Sequence, residues 1–225
     1  LAKALNKAKQ EIVQVQADQG VSKSFQEKVR PRSLGKAYTC KQYPSVSVLH
    51  NNRILVANKE QSAHDAYNLL RTQILQQING TKSNTFMITS PEPGDGKTIT
   101  AINLGISLAR DSVRSTLVVD TNLRSPRINS YLDLECTKGL SDYLQNGTAI
   151  KDILITPDIE GFVILPAGRK LNTSTDLLGS MQMKDLVIEL KQRYADRYII
   201  FDCPHILDMP DSLLFSSYVD KIIIV

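Results

Sequence analysis

The chain has 225 residues, enough for one α/β domain with an appendage, and its 42% hydrophobic and 22% charged residues are ordinary for a globular protein. No apolar stretch approaches the roughly 20 residues of a bilayer span and no signal-peptide pattern stands at the start, so we expect a soluble chain. The three cysteines are odd in number and far apart, which argues against a disulfide framework and indicates a reducing compartment such as the cytoplasm.

The positive charge of the chain is concentrated near its start. Residues 1–41 hold nine Lys or Arg against three acids, a net of +6, while the whole chain carries +4. Apolar residues at helical spacing predict a short amphipathic helix over residues 1–15, and interruptions by Gly and Pro predict a linker from Gln19 to about Asn58. We therefore expect residues 1–60 to form a basic helix and flexible linker. This arm either attracts an anionic surface, an acidic partner or nucleic acid, or serves as a solvated tether.

A second domain is predicted over residues 61–225. Ser62 fits the N-cap of an amphipathic helix that ends at Asn79-Gly80. Beyond this helix, apolar runs that predict strands alternate with helical patterns. The predicted strands are Phe86 to Thr89, Ser115 to Val119, Phe162 to Leu165, Tyr198 to Phe201 and Lys221 to Val225. The predicted helices are Thr98 to Arg110, Leu140 to Leu144, Ile150 to Leu154, Met181 to Tyr194 and Asp211 to Ser216.

These elements predict an α/β fold. Continuous apolar strands are buried on both faces, so we expect a mostly parallel sheet covered by helices on both sides, with ligands at the carboxyl ends of the strands. The last predicted strand stops where the sequence stops. We therefore interpret the chain as a piece of a longer protein, with its second domain truncated at the C-terminus.

The segment Ser90 to Thr98 reads Ser-Pro-Glu-Pro-Gly-Asp-Gly-Lys-Thr and lies between a predicted strand and a predicted helix. Such a Gly-rich turn presents backbone N–H groups and a helix N-terminus to phosphates, whereas Gly-Lys-Thr alone also fits an ordinary strand-to-helix turn. We predict that Lys97 reaches the outer phosphates of a triphosphate and that the Thr98 hydroxyl ligates Mg²⁺. The predicted cofactor-binding residues are Pro93, Gly94, Asp95, Gly96, Lys97, Thr98 and Ile99.

Two carboxylates, Asp120 and Asp202, follow predicted strands. With Thr98 they offer the oxygen ligands that Mg²⁺ prefers, so all three are predicted metal ligands. Asp202 would hold the metal directly or through water, and Asp120 would either bind it or take the proton of an incoming hydroxyl. For either Asp alone, an N-cap or loop role is the alternative. Arg124 completes the predicted catalytic set with Lys97 and the two Asp, and it either stabilises phosphoryl charge or forms a surface ion pair.

The order of these segments resembles that in a known family. The matching stretches are Thr89 to Thr98, Ala101 to Leu104, Val119 to Pro126 and Phe201 to Pro204. They are similar to the Walker A, A′ and B boxes of the bacterial tyrosine kinases of capsule and exopolysaccharide loci, which are P-loop NTPases unrelated to eukaryotic kinases. The resemblance runs from about residue 60 to the end. The stretch Arg193 to Asp202 and the Lys-rich first helix look most like the exosortase-associated branch.

This resemblance implies an ATP-dependent protein-tyrosine autokinase, or its ATPase module, that regulates exopolysaccharide or capsule biosynthesis. It implies ATP and Mg²⁺ as cofactors, with Lys97 and Thr98 at the phosphates and metal, Asp120 in the A′ box and Asp202 in the B box. It also implies a homo-oligomer that is cytoplasmic and lies at the inner membrane through an activating partner, a polysaccharide co-polymerase or chain-length regulator. Nucleic acid is not expected as a partner.

The chain departs from the family pattern in four places. Pro91 stands where the Walker A box begins with Gly, and Asn122 stands at the second Asp of the A′ box. No terminal tyrosine cluster is present. The helix motif that helps rings assemble normally has Glu and two Arg, and these positions hold Asp65, Asn68 and Arg71.

Two other functions stay open as hypotheses. Asn122 favours a catalytically weak nucleotide-binding scaffold, because an amide accepts no proton at neutral pH. A positioning or partitioning ATPase shares the boxes, but that class carries a Lys in the P-loop where this chain has Glu92. For an autokinase, Tyr38 and Tyr43 in the predicted linker are the acceptors that a neighbouring active site could reach.

Overall fold

The computed structural model describes residues 40–57, 60–110, 114–172, 174–193, 196–207 and 209–225, so the helix predicted over residues 1–15 lies outside the described part. The strands are β1 (Cys40–Gln42), β2 (Thr85–Thr89), β3 (Ser115–Asp120), β4 (Ile155–Pro157), β5 (Phe162–Leu165), β6 (Arg197–Asp202) and β7 (Lys221–Ile224). The helices are α1 (Val46–Asn51), α2 (Gln61–Ile78), α3 (Lys97–Ala109), α4 (Ile128–Tyr131), α5 (Leu140–Asn146), α6 (Ser174–Leu178), α7 (Met181–Arg193) and α8 (Pro210–Phe215).

The seven described strands form one sheet in the order β1-β4-β5-β3-β6-β2-β7. Neighbouring strands from β5 to β7 are parallel, and β4 is antiparallel to β5. All five strands predicted from apolar runs are present within one residue of their predicted ends. The predicted α/β fold with a mostly parallel sheet is therefore confirmed.

Alternate residues of the central strands pack into two separate hydrophobic cores, one on each face of the sheet. In β2, Phe86 and Ile88 pack with α2 and α3 on one face, while Met87 packs with α5 and α7 on the other. Because all five residues of β2 are buried, the strand reads as a continuous apolar run and not as an alternating one. None of the helices in the described ranges is both long and apolar enough to cross a membrane.

The predicted linker is wrong for residues 40–57, which belong to the fold. Strand β1 pairs with β4, and Ile54 and Leu55 are buried in the core on the α3 face. The buried side chain of Asn103 on α3 fixes this segment, accepting from the Leu55 amide at 3.0 Å and donating to the Arg53 carbonyl at 3.0 Å. A four-residue apolar run, Ile54 to Ala57, and a three-residue edge strand are too short to show a period, which explains why the sequence did not predict them.

The helix predicted over Ile150 to Leu154 is also wrong in part. Only a single 3₁₀ turn, Ile150–Asp152, forms there, and the short strand β4 follows. Another 3₁₀ turn covers Ser216–Tyr218 after α8. Ile153 and Leu154 are nevertheless buried, since they pack into the second core through an irregular segment.

Helix α3 approaches the sheet closely at Gly105. A Cβ built there would lie 2.7 Å from Val118 Cγ2 and 2.8 Å from a ring carbon of Phe162. We expect Gly105→Ala to lower the free energy of unfolding by about 1–3 kcal/mol, because overpacking outweighs the ~1 kcal/mol that Ala gains over Gly in a helix. Urea unfolding followed by circular dichroism measures this.

The matched comparison is the double variant Gly105→Ala/Val118→Ala. Shortening Val118 removes one of the two close contacts, so the loss from Gly105→Ala should be smaller in the Val118→Ala background. Equal losses in both backgrounds would contradict close packing of α3 at this point.

Candidate active site

The Gly-rich loop joins the end of β2 to the start of α3. Gly94 and Gly96 adopt φ values of +97° and +98°, in the left-handed region where other residues are strained. The Glu92 amide donates to Asp95 Oδ2 at 2.9 Å, so the Asp95 side chain closes the loop on itself. Lys97 opens α3 and is only 8% exposed.

Hydrogen bonds fix the base of this loop to the segment after β6. The Ile206 amide donates to the Ser90 carbonyl at 2.9 Å, and the Thr89 hydroxyl donates to the Pro204 carbonyl at 2.6 Å. The Ser90 hydroxyl donates to the Glu92 carbonyl at 2.7 Å. Two chain segments more than 100 residues apart are thus fixed side by side at the carboxyl edge of the sheet.

The Thr98 hydroxyl donates to Asp202 Oδ2 at 2.7 Å, which joins the start of α3 to the end of β6. Asp202 is fully buried, and its other oxygen, Oδ1, has no hydrogen-bond partner within the described chain. Burial raises the pKa of Asp202 to about 7, although the Thr98 hydrogen bond and the Lys97 charge both lower it. A buried carboxylate oxygen without a partner is suited to a cation or to a water bound to one.

Asp120 lies beside Asp202 because β3 and β6 are neighbours in register. Its carboxylate accepts the amides of Asn122, Arg127 and Ile128 at 3.1–3.2 Å, so it also caps the start of α4. Burial raises the pKa of Asp120 well above its usual range, and the charge of Asp202 raises it further. Asp120 thus holds the start of α4, although the N-cap residue of that helix is Arg127, and the predicted metal or base role of Asp120 stays a prediction.

A cavity of about 190 Å³ opens above this cluster. Five of the seven predicted cofactor-binding residues line it, while Asp95 and Ile99 do not. Ile99 is half-buried and packs against the core. The lining residues are Pro93, Gly94, Gly96, Lys97, Thr98, Asn122, Ser125, Arg127, Tyr131, His205 and Met209.

A metal at this site would depend on ligands beyond protein carboxylates. Within the described ranges no group of three or more His, Cys, Asp or Glu side chains is placed to hold an ion. Thr98 and Asp202 nevertheless supply hard oxygen donors, and Asp202 Oδ1 has capacity to spare. This donor set fits Mg²⁺ bound jointly with phosphate oxygens and water, which is how Mg²⁺ is usually held at phosphate sites.

Arg124 does not line the cavity. Its Nε donates to Ser174 Oγ at 2.8 Å and pairs with Asp211 Oδ2 at 3.3 Å, and its Nη2 donates to Thr175 Oγ1 at 2.9 Å. Asp211 is fully buried, so this ion pair anchors the segment after β3 to α6 and α8. The structure thus shows an ion pair, as the sequence left open, although it is partly buried and not a surface pair.

Sequence reasoning missed Ser125, Arg127, Tyr131 and Met209 as lining residues. Asn122, noted as a departure from the family, does line the cavity and accepts the Ser125 amide at 3.2 Å. The available signal was proximity in the chain, since Ser125 and Arg127 follow Asp120 within seven residues. Tyr131 and Met209 gave no signal, because only the fold brings α4 and the start of α8 to this edge.

The fold and the site define a P-loop nucleotide-binding domain, and a protein-family model described as an AAA domain matches residues 83–225. The tyrosine-protein kinase CpsD of Streptococcus pneumoniae serotype 4 is 31% identical over 163 residues, covering 72% of this chain and 70% of that protein. The chain therefore belongs to the bacterial tyrosine-protein kinase family within this AAA-domain group, so the predicted family and its enzyme class are confirmed.

Two further comparisons define how far this likeness extends. The tyrosine-protein kinase ptk of Acinetobacter johnsonii is 25% identical over 165 residues, which cover 73% of this chain but only 22% of that protein. The crystal structure of the VpsO kinase domain is 29% identical with a TM-score of 0.64, covering 71% of this chain and 76% of that one. This chain thus spans about a fifth of the length of the ptk protein and about three quarters of the VpsO kinase domain.

For the alternative hypothesis, a positioning ATPase, the comparisons show similarity of fold alone. The septum site-determining protein MinD of Pyrococcus horikoshii, complexed with Mg-ADP, is 24% identical with a TM-score of 0.54 and matches 64% of this chain. Both values are below those for the VpsO kinase domain. The shared sheet explains this similarity without a shared function.

Proposed function

We propose that this chain is the ATP- and Mg²⁺-dependent catalytic domain of a protein-tyrosine autokinase that regulates exopolysaccharide or capsule synthesis. One observation carries the proposal: the Thr98 hydroxyl lies 2.7 Å from Asp202 Oδ2 beneath the cavity that Lys97 lines. Segments more than 100 residues apart meet there in the arrangement that a metal-bound triphosphate requires. Family membership supports the same activity.

The protein side of catalysis consists of positioning and charge. The loop amides and the N-terminus of α3 bind the phosphates, and Lys97 neutralises charge that develops on the outer phosphoryl group. Thr98 and Asp202 would hold Mg²⁺, which supplies electrostatic stabilisation of the triphosphate when it is bound. Asp120, at the neighbouring strand end, would orient the tyrosine hydroxyl and accept its proton.

A raised pKa suits Asp120 to this role. A carboxylate with an ordinary pKa near 4 is a weak base, and burial beside Asp202 makes the carboxylate of Asp120 a stronger one. The amides of Asn122, Arg127 and Ile128 hold it in one orientation. Asp120 would therefore act from a fixed position at the end of β3.

The acceptor, the partner and the oligomer belong to the same proposal. Tyr43 is 71% exposed and lies between β1 and α1, so a second copy of the chain could present it as a substrate; Tyr38 lies outside the described residues. The expected activator is an inner-membrane polysaccharide co-polymerase, which would hold the protein at the cytoplasmic face of the membrane. In the predicted ring-assembly motif, Arg71 already donates to the Ser107 carbonyl at 2.8 Å.

The scaffold hypothesis rests on one specific observation. Asn122 lines the cavity where the family pattern has a carboxylate, and its side-chain oxygen accepts the Ser125 amide. A chain that needed a second carboxylate for catalysis would bind nucleotide there and transfer nothing. Phosphotyrosine formation distinguishes the two functions.

We expect purified protein incubated with ATP and Mg²⁺, and with the cytoplasmic tail of the co-polymerase, to acquire phosphotyrosine that mass spectrometry detects. Removing Mg²⁺ with EDTA should abolish the modification, because the triphosphate would lose its metal. Nucleotide binding without any phosphotyrosine when ATP, Mg²⁺ and the tail are all present would support the scaffold and reject the kinase.

A further inference from the structure

Arg127 lines the cavity, but neither the sequence motifs nor the proposed function gives its side chain a role. Its side chain is exposed and lines the cavity together with Lys97. Within the described ranges its guanidinium makes no hydrogen bond, ion pair or ring contact. No Asp or Glu stands among the described lining residues, and although Lys97 acts on the carboxylate of Asp202 beneath the cavity, Arg127 has no such acid within the described ranges. An unpaired Arg on the same cavity as Lys97 favours a polyanionic ligand.

The backbone of Arg127 is fixed even though its side chain is available. Its amide donates to Asp120 Oδ2 at 3.2 Å, and its carbonyl accepts the Tyr131 amide of α4 at 3.1 Å. The side chain therefore starts from a defined point on the segment that follows β3. This is the segment that carries Asp120, the residue proposed to face the tyrosine hydroxyl.

Arg124, three residues earlier, is committed elsewhere. Its guanidinium is shared among Ser174, Thr175 and the buried carboxylate of Asp211. Moving it into the cavity would leave the buried charge of Asp211 without its cation, with only the Ser174 and Thr175 hydroxyls donating to it, which is strongly unfavourable. The segment thus has one arginine that anchors it and another that lines the cavity.

We infer that Arg127, on the segment that follows β3, binds the terminal phosphate of ATP. The inference rests on the proposed function. The phosphoryl group in transfer has to lie between the nucleotide and the acceptor, and Arg127 sits next to the acceptor-side carboxylate while Lys97 comes from the loop side. A planar guanidinium can donate two parallel hydrogen bonds to phosphate oxygens. Arg127 therefore takes the charge-stabilising role that was one of the two alternatives for Arg124.

The test compares the affinities of a non-hydrolysable ATP analogue and of ADP, each with Mg²⁺, by calorimetry. We expect Arg127→Gln to weaken binding of the ATP analogue by about tenfold or more, and binding of ADP by less than about threefold, because a charge-assisted contact to the last phosphate is lost. Arg127→Lys should fall between wild type and Arg127→Gln for the ATP analogue. The Arg127 amide that donates to Asp120 is unchanged in both variants, so the fold is kept.

Arg110→Gln is the matched control. It removes the same charge at the other end of α3, about 20 Å from Lys97 along the 13-residue helix, where Arg110 contacts His64. Both affinities should stay within about twofold of wild type, as expected for a distant exposed charge. If Arg127→Gln leaves both affinities unchanged, or weakens the ATP analogue and ADP equally, the inference is overturned while the proposed function stands. A wild-type chain that binds neither nucleotide overturns both.

Discussion

Lys97→Met is expected to lower the rate of phosphoryl transfer by about a thousandfold and to weaken ATP binding, since a positioned cation in a water-poor site is worth several kcal/mol in the transition state. Lys97 is only 8% exposed, opens α3 and lines the cavity, so its charge is little screened by solvent. Methionine keeps the length and removes the charge. Single-turnover transfer from labelled ATP, with calorimetric titration of ATP, measures both effects.

Lys184→Met is the control for this substitution. Lys184 is exposed on α7, and it does not line the cavity. The same chemical change there should leave transfer and ATP affinity at wild-type values. Unchanged ATP affinity and transfer in Lys97→Met would mean that the Gly-rich loop does not work as proposed.

The second large effect concerns Asp202, whose burial outweighs the nearby Lys97 charge and the Thr98 hydrogen bond. The pKa of its carboxyl is raised from 3.8 to about 7, so between these values the folded chain keeps a proton that the unfolded chain has released. The free energy of unfolding of the ligand-free protein therefore falls as pH rises from about 4 to about 7, by up to about 1.4 kcal/mol per pH unit. Above pH 7 the loss from this residue is complete.

We accordingly expect Asp202→Asn to stabilise the ligand-free protein at pH 8, by an amount on the order of 4 kcal/mol if the whole shift is relieved. The gain should vanish at pH 4, where the aspartic acid is neutral. Asparagine can still accept the Thr98 hydroxyl. The variant should also bind ATP with an affinity that Mg²⁺ no longer improves, since the proposed ligand is lost.

Urea unfolding of the ligand-free proteins at several pH values tests this expectation. Asp158→Asn serves as the control, because Asp158 is exposed and outside the cavity, and its effect should be small and nearly independent of pH. An Asp202→Asn variant that is less stable than wild type at pH 8 would show that the buried carboxylate is already compensated within the fold.

The central sheet and the loop were predictable because their signals are local. Strands β2, β3 and β6 are continuous apolar runs, and Gly94 and Gly96 mark a loop that needs positive φ values. The rule that parallel strands carry ligands at their carboxyl ends then brings Asp120 and Asp202 together, as the register confirms.

Features that depend on distant partners were not predictable. Strands β1 and β4 have three residues each, and β4 ends in Pro157, so neither gives a period to recognise. The roles of Arg124 and Arg127 cannot be separated by motif alone. Asp211, 87 residues further along the chain, decides which of the two guanidinium groups turns away from the cavity.

The hydrogen bond between Thr98 and Asp202 also bears on the kinetics of ligand capture. This hydrogen bond joins helix α3 to strand β6 within the fold itself, so the entropy of ordering these two segments is lost during folding and not on encounter with a ligand. Binding of an ion would then need only a small local change, in which the Thr98 hydroxyl rotates so that a lone pair of its oxygen faces the ion. Preorganisation of this kind favours rapid association without closure of a domain.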